Sequence, residues 1–273
     1  MSEDPVQYGG EEMKVREITD RLEKAYPPQL AIDWDNPGLQ VGRMDREVRR
    51  IAVALDATDE VIALCIRKGV QLLVTHHPLF MSGVKKINDE DYHGRKVLAM
   101  AEYGIAHYAM HTNYDVAKMA ELAKDALKLA DAQVLEVTGR LEDGTACGIG
   151  SVGRLPHPMS ARECCAYVKE AFGLDNVRLF GSQEATVEKL AVSPGSGKSM
   201  ITPALLSGAQ VLVTGDIGHH DGLDAVDQGL LVIDAGHYGI EHIFIRQAAE
   251  YLRECFPGIE VEAVEAGSPF IVL

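Results

Sequence analysis

Two stretches of this chain are near copies of each other. "GVQLLVTHHPLF" begins at Gly69 and "GAQVLVTGDIGHH" at Gly208. Both read G-[VA]-Q-[LV]-L-V-T and then turn polar. A short apolar run bounded by turn residues is a buried strand. In each copy a helical stretch closed by glycine leads on to a second strand, "GIAHYAMHTNYD" in one and "GLLVIDAGHYGIE" in the other. Strand, helix and strand in succession force a crossover and parallel pairing. The chain is therefore expected to be α/β, with two similar α/β lobes from an internal duplication and equivalent strand ends meeting at a shared cleft.

The flanking sequence fits that frame. Residues 14–26 carry Val15, Ile18, Leu22 and Ala25 at helical spacing before "PP" stops them. "RRIAVALDA" reads as a strand, "TDEVIALCIRKG" as a helix capped by Thr58 and ended by Gly69, and "RKVLAMAEYG" and "VAKMAELAKDALKL" as helices. In the second half "SARECCAYVKEAFG", "SMITPALLSG", "HHDGLDAVDQG" and "IEHIFIRQAAEYLRECF" read as helices, and "VEKLAVSP" as a strand. This gives a mobile tail over residues 1–13, a first lobe over 14–130 and a second over 131–273.

Composition excludes several classes. With 47% hydrophobic and 25% charged residues the chain is an ordinary globular one. Its net charge of -15 argues against a nucleic-acid partner. Arg46, Arg49 and Arg50 read as a solvated face. Cys65, Cys147, Cys164, Cys165 and Cys255 are odd in number and contain no C-x-x-C pair, so neither a disulfide framework nor a thiolate zinc site is expected. A reducing cytoplasm suits them. "MSEDPVQYGGEE" lacks the apolar core of a signal peptide, and no run is long enough to span a bilayer, so no membrane partner is expected.

Ligands of α/β sheets gather at the carboxyl ends of strands. His76, His77, His111, Asp115, Asp216, His219, His220, His237 and Glu241 all fall at such ends. Histidine and carboxylate together suit a metal site. Neighbouring residues of a strand point to opposite faces, so His76 and His77 at a strand mouth fan out toward two ions. Two cations need a bridging anion, and Asp115 and Glu241 are the candidates. His237-x-x-x-Glu241 sets an imidazole and a carboxylate on one face of a helical turn. Such ions stand roughly 3.5–4 Å apart. Nitrogen and oxygen ligands admit zinc, iron, manganese, cobalt or nickel.

Other features read differently. "SPGSGKS", Ser193–Ser199, imitates a phosphate loop, but the glycine that motif needs five residues before Gly197 is Val192. It is a strand-to-helix turn, or an anion-holding turn with Lys198 as an added charge. "CC" at 164–165 falls in a helix, one thiol in the core and one half-exposed. His93, His107 and His157 read as structural.

"DWDNPGLQVG", "VTHHPLF", "HTNYD", "TGDIGHHDGLDA" and "AGHYGIEH" occur here in the order found in the Nif-three-like dinuclear metal-centre proteins, also called GTP cyclohydrolase I type 2 homologues, which this chain resembles over nearly its whole length. The resemblance implies two α/β lobes with two divalent ions in the cleft between them, and commonly a toroidal homohexamer. It implies His76 on one metal and His77 on the other, Asp115 as a ligand, and His237 with a bridging Glu241 completing the set. His111 corresponds to a nearby histidine, a ligand or a supporting group. His220 and its loop line the cleft. Some relatives carry a long insertion between the halves, for which this chain is too short.

The site chemistry points to a metal-dependent hydrolase. Its hydroxide would bridge the two metals, with a small phosphorylated, nucleotide-like or amide-containing substrate. His220, or its neighbour His219, would move the proton. The same ligands also suit a non-catalytic metal-handling or regulatory binding protein.

Overall fold

The side chain of Gln71 shows how the repeated motif is used. Its Oε1 accepts from the backbone N–H groups of Arg49 and Arg50, both at 2.9 Å. Its own backbone N–H donates to Arg50 O, and its carbonyl accepts from Ala106 N. One residue therefore ties three neighbouring strands together at their starts. In the second half Gln210 makes the same bonds. Oε1 accepts from Glu188 N at 2.7 Å and Lys189 N at 3.0 Å, the backbone N–H reaches Lys189 O, and the carbonyl takes Leu231 N. The two sets of bonds follow the repeated G-[VA]-Q-[LV]-L-V-T motif at equivalent residues.

The structure, a computed structural model, describes residues 13–141 and 143–272. The expected tail, apart from Met13, lies outside the described residues. Met13 itself is buried, and its carbonyl accepts from Val48 N at 2.8 Å, so it belongs to the fold and not to the expected tail.

Two compact units are present. The first joins residues up to Asn113 with Phe244–Ala266. Its strands are β1 (Gly38–Val41), β2 (Arg50–Ala54), β3 (Leu72–Thr75) and β4 (Ala106–Ala109), with a fifth strand, Glu260–Ala263. The sheet order is β1-β4-β3-β2 and then Glu260–Ala263, and only β1 is antiparallel to its neighbour. The crossover helix Asp59–Lys68 starts where Thr58 Oγ1 accepts from Val61 N, and ends at Gly69 in the left-handed region. Val61, Ile62 and Cys65 on this helix pack with Ala52, Leu73, Met100 and Ile105. Covered parallel strands must be apolar throughout, which is why "LLVT" is buried at all four positions.

The second unit joins Tyr114–Ile243 with the residues from Gly267 onward. Its strands are β5 (Ala130–Arg140), β6 (Ala146–Ser160), β7 (Arg178–Phe180), β8 (Thr186–Ser196), β9 (Val211–Gly215) and β10 (Leu231–Asp234). The order is β5-β6-β8-β9-β10-β7, with β8, β9 and β10 parallel and the other pairings antiparallel. Within each unit the parallel strands, four in the first and three in the second, end on one edge, and that edge carries the polar residues.

Some elements depart from the sequence reading. The expected helix after His111 opens as a π-helical turn, Asp115–Met119, before Ala120–Ala126 turns regular. The long β5–β6 hairpin was not foreseen, because its glycines and charges hide the alternation. The last helix, Ile243–Cys255, and the strand after it complete the first unit rather than ending a second lobe at 131–273. The strand there pairs with β2, which holds it in the first sheet. Cys164 is buried and Cys165 half-buried on the helix Ala161–Phe172, as expected. Among the described residues no helix is long and apolar enough to cross a membrane.

Replacing Gln71 or Gln210 by Ala removes three side-chain hydrogen bonds, two at Oε1 and one from Nε2, and is expected to cost about 1–3 kcal/mol. Urea denaturation should show this as a lower midpoint, with Gln→Glu, which keeps an acceptor, nearer the wild type. An unchanged midpoint for both alanine variants would contradict the clamp.

Candidate metal centre

β3 ends at Thr75, but its pairing with the chain beyond β2 continues. His76 N donates to Ala54 O and His77 N to Leu55 O. Both histidines are thereby fixed at the backbone, and their rings are fixed as well. His76, fully buried, has Nδ1 2.8 Å from Met110 O. His77 has Nδ1 2.8 Å from Asp56 Oδ1, and His111 has Nδ1 2.7 Å from Asp35 Oδ1. A carbonyl or carboxylate oxygen only accepts, so each Nδ1 must carry the proton. In the neutral ring the lone pair then sits on Nε2. A ring nitrogen from each of the three lies within 4.8 Å of the others. The His76 and His77 rings are 5.0 Å apart and tilted by 52°.

The layer behind these rings is also ordered. Thr75 Oγ1 donates to His77 O at 2.7 Å and accepts from His107 Nε2 at 2.8 Å. Burial, with Lys96 nearby, pushes the His107 pKa down to about 3, so it stays neutral and structural, as its sequence suggests. Asp35, whose side chain is closed to solvent, accepts from His111, from Thr112 N at 2.9 Å, from Thr112 Oγ1, and from Asn36 N at 2.7 Å. Burial alone would raise its pKa. The bonds from His111 and Thr112 outweigh that and hold it at about 2.

In the second unit β10 leads through Gly236 into the short helix His237–Glu241. The expected i,i+4 pair forms: His237 Nε2 lies 2.9 Å from Glu241 Oε2. His237 Nδ1 is 2.7 Å from Asp216 Oδ2, at the end of β9. Glu241 is only 3% exposed, so its charge has little water to solvate it. Asp216 holds φ at +57°, a left-handed conformation that a side chain adopts at a cost. The "SPGSGKS" stretch supplies a wall. Gly195, at φ +83°, passes so close that an added Cβ would meet Glu241 Oε1 at 2.4 Å. Lys198 is paired with Asp221 at 2.9 Å, which engages the charge that an anion would need.

The other residues singled out from sequence are placed as follows. Asp115 is half-buried and opens the π-helical turn. His219 and His220 are exposed in the first turn of the helix His219–Asp227, with rings 5.2 Å apart. Burial pushes the Cys65 and Cys164 thiols up to about 12, which removes them as thiolate ligands. Sequence reasoning missed Asp35 and Asp56 as partners of the histidines. Asp56 was findable as a carboxylate just past a strand's carboxyl end.

A family model described as Duf34/NIF3 (NGG1p interacting factor 3) matches residues 13–268. The chain belongs to this family. Among Duf34/NIF3 relatives, a "GTP cyclohydrolase 1 type 2 homolog" of Lactococcus lactis is 34% identical, covering 94% of this chain and 99% of its own. A protein of the same name from Methanocaldococcus jannaschii is 34% identical over 88% of this chain and 95% of its own. A solved Bacillus cereus protein related to NIF3 superposes with a TM-score of 0.91 at 24% identity, over 97% of this chain and all of that one, and shows the fold. Reduced HcgD from Methanocaldococcus jannaschii gives a TM-score of 0.80 at 30% identity, over 93% and 99% of the two chains.

The donor set of this Duf34/NIF3 chain fits a metal. In the first unit three imidazoles with Nδ1 committed present Nε2, and in the second His237 Nε2 lies beside the Glu241 carboxylate; these are nitrogen and oxygen donors of the kind divalent ions take. Gly195→Ala should displace the Glu241 carboxylate and lower the metal content of purified protein, with circular dichroism unchanged. Equal metal content in variant and wild type would show that the Gly195 wall does not matter.

Proposed function

We propose that this chain is a dinuclear metal protein in which His76, His77, Asp115, His237 and Glu241 hold two divalent ions. We propose further that it is a hydrolase of a small phosphorylated, nucleotide-like or amide-containing substrate. The observation that carries the reading is the position of His237. Its Nδ1–H is committed to Asp216, so its Nε2 lone pair faces the Glu241 carboxylate at 2.9 Å. An imidazole and a carboxylate set this close, with the ring turned by a second carboxylate, are a pair that one divalent ion takes. A proton would serve for one such pair. Protonating three imidazoles clustered as His76, His77 and His111 are would instead set like charges together. A divalent ion satisfies the rings without that repulsion.

When bound, such ions act as Lewis acids and acidify water near neutral pH. The chain's own residues supply the rest. Glu241 offers two carboxylate oxygens from a buried position and suits a bridge. Asp115 adds a second carboxylate. Asp56 and Asp216 keep the His77 and His237 rings turned to present Nε2. His220, exposed at the start of its helix, exchanges protons with bulk water and takes the role of proton carrier. GTP is the first substrate to test, because the curated relatives carry that name.

Elemental analysis of purified protein should find two divalent ions per chain. His77→Ala and Glu241→Ala should lose metal while keeping the far-ultraviolet circular dichroism of the wild type. Metal-replete wild type should then turn over at least one member of a nucleotide, phosphodiester and amide panel, and both variants should lose that activity by a factor of about 100 or more. Two ions with no turnover would defeat the hydrolase reading. Absence of bound metal would defeat the dinuclear one.

A further inference from the structure

Asp35 lies far from His111 in sequence, and no strand end carries it. Yet its carboxylate is the most enclosed of the three that hold the histidines. The Asp56 and Asp216 side chains are 50% and 52% exposed, while that of Asp35 is 0% exposed. Water competes for the first two bonds and is excluded from the third. Burying a carboxylate is costly unless its lone pairs are filled. Four donors fill them here: His111 Nδ1 and Asn36 N on Oδ1, Thr112 N and Thr112 Oγ1 on Oδ2. Thr112 Oγ1 in turn accepts from Ile32 N at 3.1 Å. The backbone of His111 is held separately. Its N–H donates to Asn113 Oδ1, and Asn113 Nδ2 donates to Tyr26 O. Asn113 thus fixes where the residue sits, while Asp35 turns its ring and also ties down the next backbone N–H, that of Thr112.

We infer that Asp35 is a positioning residue. It locks His111 as the Nδ1–H tautomer and turns Nε2 toward His76 and His77, making His111 a third nitrogen donor of that group. The inference rests on the proposed metal reading for its purpose but not for its geometry. The three rings already stand with centroids 5.0–5.6 Å apart, and one nitrogen of each lies within 4.8 Å of the others. A His111 ring carrying its proton on Nε2 would aim a donor at that group and repel a cation. Asp35→Asn exposes the difference between bulk and chemistry. The amide is nearly the same size, but its NH2 must face either His111, forcing the other tautomer, or the Thr112 N–H, breaking that bond. Trp34, the only tryptophan of the chain, stands edge-on to the His111 ring at 6.0 Å and reports on its orientation by fluorescence.

The test uses full-length protein labelled with 15N at histidine and stripped of metal. Ring nitrogen shifts are assigned to His111 with a His111→Gln spectrum. The wild type should show His111 protonated at Nδ1 alone. Asp35→Asn and Asp35→Ala should show a mixed or reversed tautomer and a changed Trp34 emission, and should bind cobalt roughly 10- to 100-fold more weakly. Thr112→Val removes Asp35's other side-chain partner but leaves the bond to His111. It should keep the wild-type tautomer, which separates aiming the ring from loosening the loop. An Nε2–H ring in the wild type, or an Asp35→Ala protein with the wild-type tautomer, overturns the inference. So does a Thr112→Val protein as mixed as Asp35→Ala, or cobalt affinity unchanged despite a changed tautomer. A wild type that binds no cobalt overturns the metal reading and the donor role together, whereas equal binding by wild type and Asp35→Ala overturns only the positioning.

Discussion

The chemistry of this protein depends on where four imidazole protons sit. His76, His77, His111 and His237 each give Nδ1 to an oxygen that can only accept: a main-chain carbonyl for the first and carboxylates for the other three. That choice places each ring's lone pair on Nε2. In the second unit His237 Nε2 lies 2.9 Å from Glu241, which is buried at 3% exposure. Imidazole nitrogens presented this way, with a buried carboxylate, are donor types that a divalent cation takes.

The fold makes the arrangement affordable. In each unit, taken by itself, parallel strands with their crossovers carry their carboxyl ends to one edge of the sheet, where the backbone has stopped pairing and side chains are released from strict alternation. The apolar strands behind that edge, such as β3 and β9, are buried throughout and bear the cost of polar groups held out of water. Gln71 and Gln210 fix the opposite ends of the same strands. Glycines appear where the edge needs close approach, as at Gly195 against Glu241.

Much of this was legible in the sequence, for physical reasons. The strands of the repeated motif announce themselves because covered parallel strands cannot be anything but apolar. The His237–Glu241 pair was visible because helical geometry turns a spacing of four into a contact. Asp35 was not legible as a partner of His111, since 76 residues and a loop separate them and only packing brings them together. The β5–β6 hairpin was hidden by exposed, charged residues that blur a period of two. The return of the last helix to the first unit was hidden because amphipathic spacing says that a helix packs, not on what. His76 and His77 stood out because two adjacent imidazoles at a strand end are rarely needed for packing, and their rings lie 5.0 Å apart there.

The most direct test is a crystal of the wild type soaked in cobalt and measured at the cobalt edge. The account predicts anomalous peaks bonded to Nε2 of His76, His77 and His237 at about 2.0–2.2 Å, with each Nδ1 still on its oxygen partner. Peaks bonded to Nδ1, or no peak at these histidines, would contradict it.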